Sequence, residues 1–172
     1  MDTKRKLLSH FLAALAYRTQ KALREAPQEF GSFRAIEGVR TPAELVRHMT
    51  SVLGYARTHF IGGRYWPEPL DSLDAEVERF HETLGMLAQH LRNGDALLDG
   101  MTEERLLQGP FSDAMTHAGQ LALLRRLAGA PVPPENFIVA EIESDRLGQD
   151  QAKPVSPDQV WPEAPPGWKP EK

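Results

Sequence analysis

The chain contains no cysteine. That single absence excludes a disulfide framework, a zinc–thiolate site and a cysteine nucleophile, and it leaves His, Asp and Glu to hold any metal ion. Long apolar runs are missing as well. None approaches the ~20 residues needed to cross a bilayer, so no membrane partner is expected. Clustered basic charge is also scarce: 20 Lys and Arg face 24 Asp and Glu, for a formal net charge of -4, and the basic residues are dispersed. A nucleic-acid-binding surface calls for a basic stripe or face. The one short cluster, Lys4-Arg5-Lys6, reads as a solvated first turn, so no nucleic-acid partner is expected. The N-terminal "MDTKRKLLSHFLAAL" has a basic start but no signal-peptide apolar core or cleavage site, which makes a cytoplasmic protein the expectation. There is no nucleophile elbow, no phosphate-binding glycine loop and no dinucleotide fingerprint, so serine hydrolase, kinase and dehydrogenase chemistries lack their parts.

What is present is helical periodicity. A length of 172 residues suits one domain with a full core plus a tail. Leu8, Phe11, Leu12, Leu15, Ala22 and Leu23 recur at helical spacing from Thr3 to about Ala26, where Pro27 ends the pattern. Thr41, Pro42 and Glu44 spell a capping box with proline at the first helical position, opening a second helix that Gly62-Gly63 stops. Asp71 is expected to cap a third helix, whose Leu73, Val77, Phe80, Leu84, Leu87 and Leu91 form a bundle seam ending at Asn93-Gly94. A short turn near Thr102–Leu107 leads to Gly109-Pro110. From there a fourth helix is expected to reach Ala128, apolar on most of its circumference and therefore the most buried of the four. The expected fold is thus an all-α four-helix bundle over residues 1–130. Residues 131–172 are expected to form an extended strap packed on it, because residues 150–172 contain six prolines and two large tryptophan rings. Within the strap, "FIVAEI" reads as a short strand.

Three polar residues stand out against this apolar pattern. His48 borders the inward face of the second helix, between Leu45 and Val52. On the fourth helix, Asp113 and His117 lie four residues apart, on one side and in line with Leu121 and Leu124. That spacing brings two side chains within roughly 5–6 Å at their Cβ atoms, close enough to share one ion. Two imidazoles and one carboxylate facing one point would leave coordination positions open. Asp113 needs a partner if buried, and three are available: a divalent cation, a protonated His117 or His48, or the free N–H groups of the helix start. Gln120 reads either as a side chain that holds a ligand or a metal-bound water from behind, or as an interhelical hydrogen-bonding group. His59 reads as a helix-end or pocket histidine; His10, His81 and His90 read as surface or boundary histidines. Tyr55 and Trp66 are expected to pack in the core, with a place at the mouth of a site as the alternative.

At these residues the chain resembles a known family. The helix order, with "AELVRHMTSV" on the second helix and "DAMTHAGQLALLRRLAG" on the fourth, looks like the DinB-like (YfiT-like) metal-binding four-helix superfamily, over about residues 3–130. The resemblance implies that a second-helix histidine and a fourth-helix H-x-x-x-H pair converge on a divalent metal, the motif often continuing as H-x-G-Q. Here His48 matches the first position, "THAGQ" supplies His117, Gly119 and Gln120, and Asp113 stands where the pair's first histidine would be. That exchange hardens the donor set and lowers its net charge by one, so the ion is expected among zinc, nickel, manganese and iron. What the resemblance further implies is a transferase using a low-molecular-weight thiol on a small electrophile, since relatives include bacillithiol transferases and mycothiol-dependent isomerases, and assembly as a homodimer. The rival reading is a non-catalytic bundle serving as a binding or structural module.

Overall fold

The computed structural model describes residues 2–168, and these are all-helical with no strand. Four long helices, α1 (Thr3–Leu23), α2 (Pro42–Ile61), α3 (Leu73–Asn93) and α5 (Ser112–Leu127), are joined by a one-turn helix, α4 (Glu103–Leu106), that runs into α5. No helix is long and apolar enough to cross a membrane. α1 packs on α3 and α5, and α2 packs on the same two, so α1 and α2 face each other across the bundle's diagonal. The segment between them therefore crosses one end of the bundle, and residues 34–40 of that crossover reach the site described below.

The caps explain where the helices begin. Thr41 accepts from the Glu44 N–H at 3.3 Å, while the Glu44 carboxylate accepts the Thr41 N–H at 2.7 Å, closing the capping box that starts α2. Ser72, rather than the expected Asp71, caps α3, its Oγ accepting from the Ala75 N–H at 3.1 Å. α1 ends at Leu23 rather than near Ala26, because Pro27 disfavours helical geometry at the residue before it and Glu25 turns into the left-handed region at φ 53°. The core is aliphatic with few aromatics: Leu12, Leu15, Met49, Leu53, Phe80, Leu84, Leu87 and Phe111 are fully buried.

A kink at Gly109 divides the short helical turn from the longer helix that follows it, as the Gly109-Pro110 pair leads one to expect, although the two lie so close that they abut. Pro110 has no N–H to give the helix and pushes the preceding residue out of α geometry. Gly109 accommodates this with φ -95° and ψ -105°, and the helix then resumes. Contrary to expectation, α5 is not the most buried helix: Leu123 and Leu127 are 51% and 56% exposed, while α1 keeps Leu12, Ala13, Leu15 and Ala16 wholly buried. The surplus leucines of α5 line an apolar groove with Ile36 and Val39 of the crossover instead of entering the core.

Beyond α5, "FIVAEI" forms a 3-10 turn at Phe137–Val139 and not a strand, since no strand edge is offered to it; the one bridge nearby is isolated, between Glu135 and Pro157. Phe137 stands edge-on to Tyr17 and beneath the Arg18 guanidinium. The later chain is tied to α1 and α3 through polar contacts. Arg24 donates to the Gln151 and Ala152 carbonyls, and His81 donates from Nδ1 to the Leu147 carbonyl at 2.6 Å. His81 is thus buried, 6% exposed, and not the surface group its sequence context suggests. Trp161 is buried with its ring against Trp168. Residues 169–172, the end of the expected strap, lie outside the described residues.

Candidate metal centre

α2 and α5 pack side by side, and apolar neighbours fix the rotation of each. Leu45 and Met49 turn His48 towards α5, and Ala114, Ala118 and Leu121 turn His117 towards α2. The stacking of Phe111 on Phe11 of α1, with ring centroids 6.3 Å apart, anchors the start of α5 just before Asp113. The structure brings His48, Asp113 and His117 together: one donor atom from each lies within 4.8 Å of the other two. His117 Nε2 is 3.3 Å from Asp113 Oδ1, and the two imidazole rings meet nearly edge to face at 4.7 Å between centroids.

These distances suit one small divalent ion. Donors around a tetrahedral ion with bonds of ~2.1 Å stand roughly 3.4 Å apart, so the His117–Asp113 edge already has that spacing. The remaining donor separations are at most 4.8 Å. Burial pushes the His48 imidazole below its ordinary value, Arg40 and His117 add to the shift, and Asp113 opposes it. The ring is therefore neutral at physiological pH, as a metal ligand must be. His117 Nδ1 lies 2.8 Å from Gln120 Oε1. Because an amide oxygen only accepts, Nδ1 donates to it, and Nε2 is the ring atom that faces Asp113. Of the two roles open to Gln120 from sequence, it takes that of a partner to a candidate ligand.

The three donors differ in exposure. His117 is buried, His48 is partly buried, and the Asp113 side chain is 50% exposed. Asp113 is therefore a rim carboxylate and not the core carboxylate that its apolar neighbours suggest. Its neighbours Phe111 and Ala114 are fully buried, so Asp113 lies on the outward side of a turn that is otherwise packed into the core. Solvent and small molecules can reach the point the donors share. His10, His81 and His90 take no part: His10 is exposed, His81 binds the later chain, and His90 pairs with Asp95 at 2.6 Å. His59 packs against Tyr55.

An open cleft adjoins His48, and Trp66 takes the place beside a site that was its alternative to the core. Trp66, expected in the core, is 81% exposed, and with Arg34, Arg40, Arg47 and His48 it lines an open cleft. Tyr55 is 54% exposed and likewise outside the core. A sequence signal existed in "VRTPAELVRH", where Arg40 and Arg47 bracket the first two turns of α2 and Arg47 adjoins His48. Comparison with known protein families, curated proteins and solved structures gives no match for this chain.

Proposed function

We propose that this chain is a divalent-metal protein of the DinB-like superfamily that catalyses transfer of a low-molecular-weight thiol to a small electrophile. The observation that carries the reading is the convergence of His48, Asp113 and His117, with Gln120 hydrogen-bonded to the last. Two imidazoles and a carboxylate accept zinc, nickel, manganese or ferrous iron and leave positions open for a further ligand. When bound, such an ion supplies the positive charge that lowers the pKa of a thiol or water beside it.

The chain's own residues would do the rest. His48 and His117 would each offer one ring nitrogen, Gln120 fixes the second ring, and Asp113 would contribute the charge that balances the cation from an accessible position. The sulfur has to arrive with the cosubstrate, because the protein has no thiol of its own. The test is conjugation of a fluorogenic alkylating agent to a panel of small thiols, with chelator-treated and with metal-loaded protein. Acceleration over the protein-free reaction is expected only with metal and is expected to vanish in His48→Ala. Metal binding with no acceleration for any thiol removes the transferase reading and leaves the metal site standing.

A further inference from the structure

His48 forms part of the wall of an open cleft of about 440 Å³, lined also by Arg34, Arg40, Glu44, Arg47 and Trp66. Three guanidinium groups thus share this cleft with one lining carboxylate. Glu44 matches Arg34, both of its oxygens lying 3.1 Å from the Arg34 guanidinium. Arg47 stands 3.9 Å from Glu76, a buried carboxylate that Arg79 and the Leu70 N–H also engage. Arg40 is exposed and has no carboxylate partner among the described residues. The cleft therefore holds one guanidinium that is locked, one that is steered, and one that is free.

The fourth wall is an indole that the fold holds out into solvent. Trp66 sits in the segment between α2 and α3, and that segment is fastened on both sides of it. The Tyr65 ring fills the space over Gly54, where a Cβ would stand only 1.9 Å from a ring carbon. Further along, the Leu70 N–H donates to the buried Glu76 carboxylate at 2.9 Å, and Arg79 donates to the Glu68 carbonyl at 2.8 Å. The exposure of Trp66 is thus built by its neighbours. A large ring held in water beside cations, one of them unpaired, has the makings of a binding surface.

We infer that this cleft binds a small organic anion with a flat apolar body, its carboxylate or phosphate held by Arg40 and Arg47 and its ring laid against Trp66. The planar guanidinium fork matches both acid groups in geometry, and an indole face offers area to a flat ligand without a large entropy cost. Because His48 lines the same cleft, the bound anion lies next to one of the three candidate metal ligands. Its identity as the acid end of the metal centre's substrate rests on the function proposed above; the binding itself does not.

The test uses the full chain, ¹⁵N-labelled and treated with chelator, and follows the indole N–H signals of its three tryptophans, with Trp66→Phe to assign the one of interest. Benzoate and phenyl phosphate supply the two acids, and benzamide is the neutral control. Either anion is expected to move the Trp66 signal while those of Trp161 and Trp168 stay, and the stronger of the two identifies the acid group preferred. Arg40→Gln is expected to weaken binding about tenfold, the worth of one charge-assisted hydrogen bond, with Arg40→Lys recovering part of it. Since Arg40 is exposed, neither variant endangers folding. Equal binding of benzamide, unaltered affinity in Arg40→Gln, or a Trp66 signal that neither anion moves overturns the inference. A metal titration without any anion judges the metal reading separately, so either can fail alone.

Discussion

Replacing Arg125 by methionine should destabilise the protein far more than replacing its neighbour Arg126 by alanine. Arg125 is only 4% exposed. Its Nη1 donates to the carbonyls of Ala22 and Arg24 at 3.1 Å each, its Nε donates to the Ala130 carbonyl at 2.8 Å, and its guanidinium lies 5.4 Å from the centre of the Phe30 ring. It thus closes the C-terminal ends of α1 and α5 together, where the helix dipoles favour a cation. A hydrogen bond to a charged group contributes about 1.5–3 kcal/mol, and removing the donor also strands acceptors. Against this stands the cost of burying the guanidinium, the same burial that lowers its pKa, and methionine relieves that cost. The net loss is therefore about 2–4 kcal/mol, less than the sum of three bonds. At 2–4 °C per kcal/mol for a chain of this size, the melting temperature should fall by roughly 5–15 °C. Arg126, paired with Glu163 at 3.4 Å near the surface, should cost about 0–1 kcal/mol. Urea unfolding of both variants measures the difference. Equal midpoints would show that the guanidinium does not join the two helix ends.

Two further outcomes follow from the contacts described. Burial holds the His81 pKa below its ordinary 6.5, so its contribution to stability is complete above pH 6.5 and is lost as pH falls towards the folded value, at up to about 1.4 kcal/mol per pH unit. A His81→Gln variant should show a flatter stability profile below pH 6.5 in denaturant titrations, and an unchanged slope would contradict this. Gln120→Leu removes the acceptor of His117 Nδ1 and should weaken metal affinity about tenfold, the lower end for such partners because Gln120 is exposed. Competition against a chromophoric chelator reads this directly, and unaltered affinity would deny Gln120 its orienting role.

The parts of the fold that local chemistry dictates were legible in the sequence. Thr41, Pro42 and Glu44 carry a complete helix start within four residues, and the period of Leu73, Val77, Phe80, Leu84 and Leu87 fixes the inward face of α3 without reference to anything distant. The same periodicity placed Asp113 and His117 on one side of α5 and His48 at the edge of the inward face of α2, because a helix converts spacing into direction, and the family resemblance supplied the pairing of the two. What was not legible depends on contacts between distant segments. Arg125 and Arg126 look alike in sequence, yet only Arg125 finds the end of α1. His81 sits at the edge of a seam and is buried only because Leu147, 66 residues later, offers its carbonyl. Trp66 has the composition of a core residue, and what keeps it exposed is Tyr65 lying on Gly54 together with the ties from Glu76 and Arg79. The Gly109-Pro110 pair, by contrast, announced the break before α5, and the chain does leave helical geometry at Gly109.

The central claim is that His48, Asp113 and His117 hold one divalent ion, and calorimetric titration of tag-free, chelator-treated protein with Zn²⁺, Ni²⁺, Mn²⁺ and Fe²⁺ tests it most directly. One ion per chain is expected for at least one of these metals, and at a hundredfold excess over Kd it should add about 2.7 kcal/mol to folding stability. Binding should be lost in His48→Ala and in Asp113→Ala, since each removes one of three donors from a different part of the site. No uptake of any of the four metals, or uptake that persists unchanged in His48→Ala, would contradict the account.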